Sequence, residues 1–125
     1  MPVRRPEDLH AIFVQAFNAG DLEGVMELYD ASAVFLKEPG HVLTGRDAIR
    51  EDYRALLAAR PHIEAETRLV MRTEDGTALT SGKWTLTGTN TDGTAFRIEG
   101  RNAEVLRRQP DGTWLAVIDC PSIPE

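Results

Sequence analysis

The chain has 125 residues and a mass of 13.8 kDa, enough for one domain and one hydrophobic core. Hydrophobic residues make up 42% and charged residues 27%, a balance that excludes intrinsic disorder. The net charge of −6 (pI about 5.1) excludes a basic stripe for nucleic-acid phosphates, so no nucleic-acid partner is expected.

A single cysteine, Cys120, rules out an intramolecular disulfide and a cysteine-based zinc site. The longest apolar runs, such as 114–118, fall far short of a membrane span. The opening MPVRRPEDLH has no apolar core of the kind a signal peptide needs. The expectation is a protein of the reducing cytoplasm with no membrane partner.

The first half reads as helical. Pro6, Glu7 and Asp8 open a helix, and Leu9, Ile12, Phe13, Ala16 and Phe17 give it an apolar face before Asn18-Ala19-Gly20 ends it. Asp21 is placed to cap a second short helix with apolar positions Leu22, Val25, Met26, Leu28 and Tyr29. A short β-like run over 33–36 closes in Lys37-Glu38-Pro39-Gly40, and 41–44 reads as a short strand. Thr44 is a candidate cap for a third helix, with Ala48, Ile49, Tyr53, Leu56 and Leu57 on its apolar face and Pro61 as its stop.

Beyond Pro61 the period shifts toward two. Ile63, Ala65, Thr67, Leu69 and Met71 alternate with mostly charged residues. Turn signals at Glu74-Asp75-Gly76, Asn90-Thr91-Asp92-Gly93 and Pro110-Asp111-Gly112 separate runs 77–88, 94–108 and 113–120. Residues 63–120 therefore predict one antiparallel sheet in chain order. Gly82, Gly88 and Gly100 inside the runs predict bulges or bends. The fold class is α+β: three N-terminal helices packed on a curved antiparallel sheet, a cone with a pocket inside.

Several segments together carry a resemblance. Asn18-Ala19-Gly20-Asp21-Leu22-Glu23, Met26-Glu27-Leu28-Tyr29, Glu38-Pro39, Gly45-Arg46-Asp47-Ala48-Ile49-Arg50, residues 100–108 and Gly112-Thr113-Trp114 resemble the nuclear transport factor 2-like superfamily. The nearest likeness is to its ketosteroid-isomerase-like and SnoaL-like members. The superfamily holds isomerases, cyclases, dehydratases, epoxide hydrolases and non-enzymatic binders, so fold alone does not assign a reaction.

The resemblance implies a set of candidate site residues. Glu38, just before a proline, matches the general base of ketosteroid isomerases. Glu104 falls where those enzymes place a neutral carboxylic acid in the oxyanion hole. Alternation leaves open whether Glu104 or its neighbours Ala103 and Val105 face inward. Phe13 stands in place of the oxyanion-hole tyrosine and cannot donate a hydrogen bond, which argues against steroid isomerisation. Tyr53 is a candidate phenol donor, and Tyr29 a second aromatic at a matching position. Asp119 shares its alternation set with Val117 in an apolar setting and needs a partner such as Arg101, or else a raised pKa. Trp84 and Leu86 read as pocket wall or core.

No metal is expected, since His10, His41 and His62 show no ligand spacing, and no phosphate loop or nucleophile elbow suggests a cofactor. The expected function is cofactor-free acid–base chemistry, namely isomerisation, cyclisation or dehydration of a small hydrophobic carbonyl compound. Glu38 would be the base, Glu104 or Asp119 the acid and Tyr53 a donor. The alternative is a non-catalytic module that binds a ligand or a protein. Superfamily relatives pair through a sheet face, so the resemblance also implies a homodimer.

Overall fold

The computed structural model describes residues 1–124. A 3-10 turn (Pro6–Asp8) leads into α1 (Leu9–Asn18), followed by α2 (Leu22–Met26), β1 (Tyr29–Glu38), β2 (His41–Thr44), α3 (Arg46–Ala58), β3 (His62–Arg72), β4 (Thr77–Thr89), β5 (Ala95–Arg108) and β6 (Trp114–Cys120). The strands form one six-stranded sheet in the order β2-β1-β6-β5-β4-β3.

From β3 to β6 the sheet is antiparallel in chain order, as the turn signals predict. The three hairpins share one design. The backbone N–H of Thr73, Asn90 and Gln109 bonds the carbonyl of Thr77, Thr94 and Thr113. Gly76, Gly93 and Gly112 each take a positive φ of 85–92° that a side chain would strain.

The sheet departs from the expected meander on its other side. The β-like run is longer than 33–36 and begins at Tyr29, so α2 ends at Met26 and Leu28 and Tyr29 leave it. β1 then runs parallel to β6, with Val34 beside Ile118 and Phe35 beside Asp119, which makes the sheet mixed. Parallel neighbours need a long connection, and α3 and the whole meander supply it. The N-cap of α3 is Gly45 at φ 90°, without a side-chain bond, while Thr44 remains in β2. Asp21 does cap α2, accepting the N–H of Gly24 at 2.9 Å.

Two irregularities shape the inner face. β3 carries an extra residue between Thr67 and Leu69, opposite Gly82. A Cβ on Gly82 would lie 2.1 Å from the Glu66 carbonyl oxygen, so only glycine lets the strands approach this closely. β6 carries one between Ala116 and Ile118, where Leu106 of β5 pairs with Ala116 and Val105 with Ile118. The core beneath the helices contains Phe17, Val25, Met26, Ile49 and Leu106, all nearly solvent-free.

Candidate functional site

A cavity of about 150 Å³ lies between α1, α3 and the inner face of the sheet. That volume holds roughly one benzene-sized ring. Most of its lining is apolar: Phe13 and Phe17 from α1, Leu56 from α3, and Ile63, Trp84 and Leu86 from the sheet. The indole N–H of Trp84 donates to the Pro121 carbonyl at 2.6 Å, which fixes one wall. Half-buried Asp52, Leu56, Trp84 and Pro121 mark the mouth.

Two carboxyl groups stand side by side in this apolar setting. Glu104 on β5 and Asp119 on β6 are directly paired across the strands, and each is only 6–7% exposed. Facing residues on neighbouring strands have side chains in contact. The Oε1 of Glu104 accepts from the Thr80 hydroxyl at 2.7 Å and lies 2.5 Å from His10 Nε2. The other ring nitrogen of His10 lies 2.7 Å from Thr67 Oγ1, so α1 and β3 together aim the imidazole at Glu104. Asp119 Oδ2 accepts from the Tyr29 hydroxyl, which is 2.7 Å from the Tyr53 hydroxyl. Among the described residues, neither Asp119 Oδ1 nor Glu104 Oε2 has a hydrogen-bond partner, and neither is sealed by packing.

Burial pushes the Asp119 carboxyl up to about 8, the nearby charge of Glu104 adds to the rise, and the bond from Tyr29 only partly opposes it. Burial and the charge of Asp119 likewise raise both phenols well above their ordinary value, so Tyr29 and Tyr53 remain hydroxyl donors.

The cavity thus gathers Glu104, Asp119, Tyr53, Phe13, Tyr29, Trp84 and Leu86 of the residues read from the sequence. Three others lie elsewhere. Glu38 is exposed at the β1–β2 turn, 3.4 Å from His41 Nδ1, because the hairpin carries it past the end of the covered sheet. Arg101 is exposed on the outer face, since its neighbour Asn102 takes the inward position, and it makes no ion pair with Asp119. Val117 is the extra residue of the β6 bulge, so Asp119 shares its inward face with Ala116 instead.

His10, Asn102 and Asp52 are the polar cavity residues that sequence reasoning misses. His10 lies three and seven residues before Phe13 and Phe17, on the same helical stripe, which is a readable signal. Asn102 precedes Glu104 by two, so strand alternation turns both inward. Among the described residues, no group of three or more His, Cys, Asp or Glu is arranged to hold a metal ion, and no helix is long and apolar enough to cross a membrane.

The chain belongs to the SnoaL-like domain family, whose family model matches residues 11–117. Solved structures of similar fold include a ketosteroid isomerase-like protein from Erwinia carotovora atroseptica (23% identity, 91% of this chain and 90% of that one, TM-score 0.78). Aln2 from a Streptomyces species is 25% identical over 94% of this chain and 91% of its own, with a TM-score of 0.77. An NTF-2-like protein of unknown function from Shewanella oneidensis is 17% identical over 93% and 94%, with a TM-score of 0.79. No curated protein matches the chain in sequence.

Proposed function

We propose that the protein is a cofactor-free acid–base enzyme acting on a single-ring carbonyl compound, of the isomerase, cyclase or dehydratase kind, and that it works as a homodimer. The observation that carries this reading is the pair of buried, facing carboxyl groups, Glu104 and Asp119, in an otherwise apolar cavity. Two carboxyls in unlike surroundings divide the roles of acid and base. Asp119, whose pKa lies above neutrality, holds its proton and presents it to a carbonyl oxygen, while Tyr53 donates to Tyr29 and Tyr29 to Asp119 Oδ2, which orients the carboxyl. Glu104, oriented by His10 and Thr80, takes a proton from the adjacent carbon. The electron pair moves into the new C=C bond, and the oxygen accepts hydrogen bonds or the proton of Asp119. Return of a proton from Glu104 to the same or another carbon completes exchange or isomerisation. The cavity volume favours one ring over the four of a steroid.

Exchange of the α-protons of cyclohexanone in D₂O, followed by NMR, tests this. The wild type is expected to accelerate exchange, and Glu104→Gln and Asp119→Asn to lose roughly 10²–10⁴-fold. A second reading, a non-catalytic binder, is favoured by Phe13, which lines the cavity and cannot donate to a developing enolate. Saturable binding of cyclohexanone without accelerated exchange would establish that reading in place of the first.

A further inference from the structure

One buried polar side chain takes no part in the acid–base arrangement. Asn102 is 6% exposed and lines the cavity, and its Oδ1 is shut off from solvent without a hydrogen-bond partner. Among the described residues its amide nitrogen has no hydrogen-bond partner, and it is not shut off from solvent as the oxygen is. Unpaired buried polar groups are rare, because an apolar residue of the same shape would fold at least as well. The position opposite Asn102 is Gly82, where a side chain would meet the Glu66 carbonyl, so no side chain across the strand pairs with the carboxamide. Thr80, one inward position further along β4, reaches Glu104 and not Asn102.

The spacing along β5 limits what can pair with the carboxamide. Asn102 and Glu104 are successive inward residues of one strand, so their side chains stand about 7 Å apart. That is close to the span between oxygen atoms on opposite corners of a six-membered ring. A carboxamide offers one acceptor and two donors, and a hydroxyl, which both donates and accepts, answers it with a single atom.

We propose that Asn102 is a specificity-determining residue that binds a hydroxyl on the far side of the substrate ring from its reacting carbonyl. The substrate class is accordingly a hydroxylated single-ring carbonyl compound. This inference rests on the acid–base reading only in placing the carbonyl between Glu104 and Asp119.

The test compares binding of cyclohexanone and 4-hydroxycyclohexanone by NMR titration. The wild type is expected to bind the hydroxylated ring at least about tenfold more tightly, because a site built to pair a hydroxyl discriminates against its absence. Asn102→Leu should erase that preference. Its melting temperature should be no lower than that of the wild type, whereas a purely structural asparagine would lower it. If Asn102→Leu does not fold, Asn102→Ala gives the same binding readout. Equal binding of the two rings by the wild type, or a preference that survives in the variant, overturns the proposal while leaving the acid–base reading intact. Binding of neither ring by the wild type overturns both.

Discussion

Asp119 and Glu104 are the same kind of acid on facing positions, yet their surroundings set them apart. Glu104 has an imidazole and a threonine hydroxyl on one oxygen, while Asp119 has only a phenol and apolar walls. The consequence is a pH dependence of folding. The folded-state pKa of Asp119, about 8, lies above its unfolded value near 3.8, so the folded protein keeps a proton that the unfolded chain has released. Its stabilising contribution is complete below pH 4 and declines as pH rises through 8, with a slope of at most about 1.4 kcal/mol per pH unit. Asp30, Asp92, Asp111 and Glu99 have lowered values, through hydrogen bonds from Ser32, Thr94 and Thr113 and from Arg97, and their contribution disappears only on acidification below about 4. Urea midpoints measured from pH 5 to 8 should therefore fall steadily for the wild type and stay nearly level for Asp119→Asn, whose amide still accepts from Tyr29. Parallel declines in both proteins would show that another group carries the dependence.

At the scale of the elements, close approach decides what the sheet tolerates. A Cβ on Gly82 meets backbone, the Glu66 carbonyl, whereas a Cβ on Gly100 meets the indole of Trp84 at 2.5 Å. Backbone held in a ladder cannot give way as a side chain can. Gly82→Ala should thus cost more stability than Gly100→Ala, which should cost about 1–3 kcal/mol by overpacking. Gly100→Ala should also shift tryptophan emission to the red as Trp84 leaves its bond to Pro121, while Trp114, 5% exposed, stays in place. The reverse order of stability, or unshifted emission, would contradict this account of the bend.

The same elements explain what is legible in the sequence. The helices α1 and α3 show in their three-and-four apolar spacing, and the three hairpins show in their Asp-Gly turns, because both are local signals. Strand β1 is only partly visible, since one of its two pairing partners, β6, lies more than 80 residues away in sequence. Alternation alone groups the inward direction of Asp119 with Val117, and the bulge that separates them is a property of pairing with β5, not of β6 alone. His10 is visible as a histidine on an apolar stripe but acquires meaning only when the fold brings Glu104 and Thr67 to it.

At the scale of the whole molecule, the outer face of the sheet bears on assembly. Met71, Leu79, Val105, Ile118 and Val34 are successive cross-strand neighbours from β3 to β1, and they form one apolar row on the face opposite the cavity. Met71 is 57% exposed and Ile118 50%. Single exposed apolar residues are ordinary, but a continuous row across five strands is the kind of patch that marks an interface. Beyond the next row, Leu69, Ser81, Ala103 and Cys120, runs one of mixed sign, Glu66, Lys83 and Arg101, whose charges can pair with their own kind reversed by a two-fold axis. A second copy of the chain laid on this face supplies both complements, and a stable pair would bury more than about 1,000 Å² in total. Ile118→Lys places a charge at the middle of the row without touching the cavity. Sedimentation velocity at micromolar concentration should show a dimer for the wild type and a monomer for this variant, with cyclohexanone binding unchanged. A wild-type monomer, or a variant that remains a dimer, would remove this face as the interface.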